Sequence, residues 1–273
     1  MQRKRRKKRK EGMKIKFLEL KENYARVLFE DTSPYFVNSI RRTMIADIPK
    51  LAIEKVTIYD NTSALFDEII AHRLGLIPLP THLDLLNFRK ECSCKGNGCP
   101  SCTIHYTLSK EGECTVYSGD LRPEDSMWAV VDKNIPIVKL QKNQRLILEA
   151  EAELGTGSQH AKWQVVCGLG YKYYPIIEID KEKCNLCSAC IDACPRNILE
   201  IKRNKITVKN IEECILCKSC SDSCKKGAIN VRGDESRIIM QYETDGSLTA
   251  ENALKEALKI LQKKYDELKK CFK

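Results

Sequence analysis

Fifteen of the 273 residues are cysteines, and twelve of these fall into three tight groups. The first group is Cys92-Ser-Cys94-Lys-Gly-Asn-Gly-Cys99-Pro-Ser-Cys102, a C-x-C-x4-C-x2-C loop. Four thiolates this close suit a tetrahedral structural zinc site, and the glycines permit the tight turns. Iron also accepts four thiolates, so the loop reads as a metal staple with zinc as the expected ion. No His or carboxylate pattern accompanies it to suggest an open catalytic position. The other two groups are an internal repeat with an offset of 30: Cys184, Cys187, Cys190 and Cys194 recur as Cys214, Cys217, Cys220 and Cys224. Ile198, Leu199 and Ile201 recur as Ala228, Ile229 and Val231, so each half is C-x2-C-x2-C-x3-C followed by a short apolar strand.

That spacing is the one found in bacterial-type ferredoxins with two [4Fe–4S] clusters, where the fourth Cys of each run serves the other half's cluster. Cys184, Cys187, Cys190 and Cys224 would then hold one cluster, and Cys214, Cys217, Cys220 and Cys194 the second. Pro195 follows the first run, whereas Lys225 takes its place after the second. Metal-ligand spacing, rather than a disulfide framework, implies a reducing interior and a cytoplasmic location. Cys114, Cys167 and Cys271 stand apart and read as buried or incidental thiols.

These sites need a scaffold. Ser33–Pro49 reads as an amphipathic helix, with Ser33 as cap, Pro34 in the first turn, and Phe36, Val37, Ile40, Met44 and Ile45 on one face. Residues 13–29 alternate across Lys21-Glu22-Asn23 as a hairpin, and a strand is expected around Ile53–Tyr59. Leu65–Gly75 reads as a helix with Phe66, Ile69, Ile70 and Leu74 on one face and Gly75 ending it. Residues 103–118 look like a second hairpin around Glu111-Gly112, Arg145–Leu154 is a half-buried strand, and Gly155-Thr-Gly157 breaks it. Further strands are expected at Ile176–Ile179 and Arg237–Tyr242. His160 beside Trp163 reads as a packing or hydrogen-bonding residue, because no nucleophile or acid is paired with it. Ser247 or Thr249 caps a last helix whose Leu254, Ala257, Leu258, Leu261, Tyr265 and Leu268 keep helical rhythm over five turns.

The formal charge of +10 is concentrated at one end. Residues 1–12 hold eight Lys/Arg and one Glu, which leaves +3 for the rest, an ordinary balance for a globular chain. Such a basic leader is expected to be disordered; it could touch nucleic acid electrostatically or have no specific role, and Met13 is as good a start as Met1. No apolar run reaches bilayer-spanning length, so no membrane contact is expected. There is no acidic triad to hold catalytic Mg²⁺, no phosphate-binding glycine loop, and no flavin or nucleotide motif.

Three stretches carry a resemblance. They are Asn38-Ser-Ile-Arg-Arg-Thr-Met-Ile-Ala-Asp-Ile-Pro49, Phe66-Asp-Glu-Ile-Ile-Ala-His-Arg-Leu-Gly-Leu-Ile-Pro78 and His160-Ala-Lys-Trp163. Together with the cysteine loop and the ferredoxin-like insert, they resemble the α-type assembly subunits of multisubunit RNA polymerases, most closely the archaeal D type. The resemblance covers nearly all of residues 13–273.

It implies an α+β fold in four parts: the leader (1–12), a dimerisation subdomain from 13–50, 160–180 and 232–273, an inserted β-rich subdomain (51–159) carrying the metal loop, and an inserted ferredoxin-like domain (181–231). It also implies a non-catalytic platform in transcription. The first and last helices would pair with a small partner, subunit L, through Phe36, Val37, Ile40, Met44, Leu254, Leu258, Leu261 and Tyr265 as contact or adjacent core positions. Small subunits N and P would assist, and Arg41, Arg42 and Asp67–Leu76 would meet a large catalytic subunit. DNA would be met only indirectly, through the complex. The cysteine repeat taken alone would instead favour an electron-transfer subunit of an iron–sulfur oxidoreductase.

Overall fold

The hairpin forms where the alternation places it. The first helix starts at the Ser33-Pro34 cap but ends at Ala46 rather than running to Pro49, which already opens the next strand. The computed structural model describes residues 12–272, so the basic leader lies outside the described residues apart from Gly12. Strands β1 (Lys14–Leu20) and β2 (Tyr24–Glu30) are followed by helix α1 (Pro34–Ala46), strand β3 (Pro49–Asn61) and helix α2 (Asp67–Gly75). Then come β4 (Thr103–Glu111), β5 (Cys114–Tyr117), β6 (Arg122–Pro123), β7 (Pro136–Leu140), β8 (Arg145–Thr156) and β9 (Val166–Ile179). The cysteine repeat contributes α3 (Ala189–Asp192), β10 (Leu199–Lys202), β11 (Lys205–Val208) and α4 (Ser219–Asp222), before β12 (Ile229–Thr244) and α5 (Ala250–Lys270).

The chain folds as two compact units. One comprises residues 12–19, Arg26–Asn38 and Gly170–Gln241; the other comprises Leu20–Ala25, Ser39–Leu169 and 242–272. The first unit holds most of a four-stranded sheet ordered β1-β2-β12-β9 and the β10-β11 hairpin. Its cysteine-rich core packs Ile198, Leu199, Ile229 and Val231 around Cys190, Cys194, Cys214 and Cys220.

The second unit is built on a sheet ordered β3-β8-β4-β6, with a β5-β7 pair. β8 alternates buried and open residues as its sequence does, and sends Leu146, Leu148, Ala150 and Ala152 into a core shared with Leu51, Ile70, Leu74 and Tyr106. The Tyr106 hydroxyl, buried there, donates to the Trp128 carbonyl at 2.8 Å.

Several expectations need correcting. β4 and β5 do not pair with each other. β4 lies in continuous register with β8 from Thr103↔Glu153 to Glu111↔Arg145, while β5 crosses to β7. The chain bends at Gly112, but Gly112 N–H donates to the Gln144 carbonyl beside β8, and the other edge of β4 takes β6 at Tyr106 and Thr107. On α2 only Ile70 and Leu74 are buried; Phe66 and Ile69 are exposed. A helix nine residues long seats one narrow seam, and the wider apolar stripe faces outward. Gly75 does end the helix as expected, with Leu76 as cap. β8 continues through Gly155, where a Cβ would lie 2.3 Å from the Trp163 indole.

Of the two roles expected for His160, the structure shows the hydrogen-bonding one: the residue is exposed and caps a short turn. Its Nδ1 accepts from the Lys162 backbone N–H at 3.1 Å, and Trp163 Nε1 donates to the Glu153 carbonyl at 3.2 Å. Cys167 and Cys271 are exposed, and Cys114 is half-buried.

A Cβ on Gly157 would sit 2.1 Å from the Ile45 carbonyl oxygen, whereas one on Gly170 would meet nothing within 4 Å. Overpacking against fixed backbone costs about 2 kcal/mol. Gly157→Ala is therefore expected to lower the thermal midpoint by roughly 4–8 °C, with Gly170→Ala close to wild type in the same calorimetric scan.

Candidate metal and cluster sites

The loop at 92–102 closes on itself through backbone bonds. Lys95 N–H donates to the Cys92 carbonyl at 3.0 Å, Asn97 N–H to Cys94 at 3.2 Å, and Cys102 N–H to Cys99 at 2.8 Å. Gly96 and Gly98 turn the chain at φ 86° and 88°, conformations only glycine adopts cheaply, and Lys95 joins them at φ 55°. The four sulfurs are brought within 4.8 Å of one another. Cys92 and Cys99 Sγ are 3.5 Å apart, Cys94 and Cys102 3.6 Å, and Cys99 and Cys102 3.8 Å. A tetrahedron with metal–sulfur bonds of about 2.3 Å has edges of about 3.8 Å, so the donor set fits a four-coordinate ion.

One tether was not legible from the cysteine spacing. Arg89 Nε donates to the Gly96 carbonyl at 3.0 Å, and its guanidinium pairs with Glu151 and Glu153 of β8 at 3.3 and 3.5 Å. The signal was available only in the pairing of an isolated Arg with acidic residues far along the chain.

The repeated cysteines build two further sites. Cys184, Cys187, Cys190 and Cys224 line one recess with Ile179, Ile206 and Ile229. Cys194, Cys214, Cys217 and Cys220 line another with Ile177, Leu199 and Val231. In each half the chain turns around its cavity through left-handed residues at matched positions: Leu186 and Ser188, then Leu216 and Lys218, with φ between 59° and 65°. Leucine in this conformation is uncommon, and such strain persists only where surrounding structure fixes it. The short helices α3 and α4 follow directly, and Ser223 Oγ donates to the Ala189 carbonyl at 3.3 Å, tying the halves together.

Four thiols around each apolar cavity fit a cubane of four irons and four sulfides. Burial pushes the Cys220 thiol up to about 11 and raises Cys190 as well. Such groups become thiolates at neutral pH when a cation compensates the lost hydration.

Comparison with known proteins follows the same division. The family described as "RNA polymerase Rpb3/RpoA insert domain" matches residues 56–168, and the "4Fe-4S dicluster domain" matches residues 176–225. A chain named DNA-directed RNA polymerase subunit Rpo3 from Archaeoglobus fulgidus is 44% identical over 256 residues, covering 94% of this chain and 96% of its own length. Its namesake from Picrophilus torridus is 42% identical over 267 residues, covering 93% and 97%. That from Methanothermobacter thermautotrophicus is 45% identical over 236 residues, covering 85% and 89%.

Within the 92–102 loop the thiols differ in acidity. Burial opposes ionisation of Cys94, but hydrogen bonds from the Cys102 and Cys92 thiols and from the Gly98 and Gly96 backbone lower it to about 6. For Cys99 the Ser101 backbone acts to lower the pKa, yet the neighbouring thiols and burial carry it up to about 11. In metal-free protein at pH 7, Cys94 is therefore mostly thiolate and Cys99 is not. Iodoacetamide footprinting by mass spectrometry is expected to show Cys94 modified at least ~10-fold faster. Raising the pH to about 9 should leave the Cys94 rate nearly flat while that of Cys99 climbs.

Proposed function

Because the chain belongs to the Rpo3 family of DNA-directed RNA polymerase subunits, we propose that it is an assembly platform of the archaeal D type, which heterodimerises with the small α-like subunit L. The observation that carries this reading is identity of more than 40% running almost end to end with named polymerase subunits. The dicluster domain alone would not carry it. The chain is a non-catalytic member of a nucleotidyltransferase complex, and polymerisation chemistry belongs to its large subunits.

The partner face is narrower than the helical stripes imply. Val37, Ile40, Met44, Leu254 and Leu261 are buried within this chain's own core. Phe36 and Leu258 are less open than Tyr265 and Leu268, which lie on the last turns of α5 and are about half exposed. Exposed apolar residues on an otherwise charged helix fit the core of an obligate interface. Ile15 and Phe17 on β1 are open too. Exposed Phe66, Ile69, Arg42 and Leu76 are the positions offered to a large subunit, and subunits N and P would complete the platform. DNA is met only through the complex. No helix among the described residues is long and apolar enough to cross a membrane; a reducing cytoplasmic setting suits the thiol sites.

We assign one [4Fe–4S] cluster to Cys184, Cys187, Cys190 and Cys224, a second to Cys194, Cys214, Cys217 and Cys220, and a structural zinc to Cys92, Cys94, Cys99 and Cys102. The apolar lining of the two repeat sites and the sulfur separations of the small loop support the difference between them. Elemental analysis of anaerobically purified chain is expected to give roughly eight irons and one zinc per chain; iron near four with no zinc would refute the assignment.

The double substitution Tyr265→Asp and Leu268→Asp tests the platform role. Both side chains lie outside the chain's own core, so folding stability is expected to change by no more than roughly 0.5 kcal/mol. Affinity for the small partner should fall by at least ~100-fold, since two apolar contacts become charges in an interface core. Retention of the partner at wild-type affinity by a folded double variant would refute this placement of the interface.

A further inference from the structure

The two halves of the cysteine repeat match in spacing but differ in attachment. Just before Cys214, residues Ile211–Glu213 form a single 3-10 turn. Lys172 of β9 donates from Nζ to the Glu212 carbonyl at 2.6 Å and to the Cys214 carbonyl at 2.7 Å. Arg26 of β2 donates to the Glu212 carbonyl and pairs with the Glu213 carboxylate. Tyr174 of β9 donates to Glu212 Oε1 at 3.4 Å, and Arg237 of β12 lies over the Tyr174 ring at 4.2 Å. Two strands of one sheet thus reach the residues that lead into one candidate ligand, and a third braces Tyr174 from behind.

The equivalent approach to Cys184 is held through Asp180, directly after β9, and among the described residues no charged side chain from β2 or the middle of β9 reaches it. Cys184 N–H donates to the Asp180 carbonyl at 3.2 Å, Glu182 N–H to Asp180 Oδ1 at 3.0 Å, and Lys183 pairs with Asp180 at 3.3 Å. Asp180 N–H in turn reaches the Ala228 carbonyl at 2.8 Å.

We propose that Lys172 and Arg26 are positioning residues for Cys214, and that they make the order of the β2-β12-β9 sheet depend on the cluster at Cys194, Cys214, Cys217 and Cys220 but not on the other. This rests on the assignment of a cluster to each cavity. Backbone position is the link between cluster and sheet. Cys214 bonded to a rigid cubane fixes its own carbonyl, and through it the ammonium of Lys172. With the site empty, four thiols in an apolar cavity have no common partner, the turn at 211–213 relaxes, and part-buried cations on β2 and β9 lose their acceptors. Unmade bonds to buried charged donors are costly, so the sheet opens more often.

Cys187 and Cys217 are matched probes, because both are exposed and occupy equivalent positions in the repeat. Anaerobically reconstituted full-length Cys187→Ser and Cys217→Ser are compared by hydrogen exchange with peptide-level mass spectrometry. Cys217→Ser is expected to raise exchange in segments 24–30 and 170–176 by about tenfold or more, while Cys187→Ser leaves both within about twofold of wild type. Lys172→Met is expected to lose roughly four irons per chain, as the Cys217 variant does, and Lys172→Arg to restore them.

Equal exchange in the two cysteine variants, each lacking one cluster, would overturn the latch while leaving the cluster assignment intact. Wild-type protein that takes iron into neither cavity would overturn the cluster assignment and the latch with it. If Cys217→Ser proves too unstable to isolate, full iron content in folded Lys172→Met would by itself overturn the proposal.

Discussion

Strand β12 is the constraint on which the cysteine-rich unit depends. Its first residues, Ile229 and Val231, pack into the cavities where the repeated thiols converge. Further along the same strand, Ile238, Ile239 and Met240 are buried, hydrogen-bonded between β2 and β9. A β-strand has no hinge: its side chains alternate in fixed register, and a slip of one residue would reverse every face. The cysteine repeat is therefore grafted onto a sheet through strands that continue into it, with β9 entering and β12 leaving. A loop on flexible linkers could fold or unfold without consequence for its host. A graft on two neighbouring strands is coupled to its host at the points where side chains cross between them, and charged residues of the sheet reach into the turn before Cys214.

The three thiol sites meet one electrostatic problem in two ways. A buried thiolate is unfavourable without a cation, so each site clusters four sulfurs where an ion or cluster would supply the charge. The 92–102 loop does this at short range, with glycines at the turns and sulfurs spaced for one ion. The repeated sites are lined by apolar side chains and place leucine, serine and lysine in left-handed conformations around them. Glycine would adopt those angles at less cost, but the side chains of Ile179, Leu199 and Val231 and the loops around them hold the geometry.

Much of the fold was legible because its signals are local. The cap at Ser33, the strand alternation of β8 and the long rhythm of α5 each depend on neighbours within a few residues, and each element forms where those patterns fall. The cysteine spacing was legible because ligation chemistry restricts it. The pairing of β4 with β8 rather than β5 was not, since register over nine residues with a distant strand outweighs a turn at Gly112. The exposure of Phe66 and Ile69 was hidden for a related reason: periodicity marks an apolar stripe but not how much of it the chain covers. Arg89 and Lys172 escaped notice because a lone cation carries no pattern, and only the fold brings each beside the carbonyl it serves.

At the centre stands the claim that this chain is a platform whose thiol sites serve a transcription complex rather than a redox chain. Oxygen-free affinity purification of the full chain from its own cells, with mass spectrometry of the proteins it retains, tests that most directly. Recovery of one small α-like partner together with two very large subunits is the predicted result. Recovery of flavin- or nucleotide-binding redox proteins, with no large polymerase subunits, would contradict it.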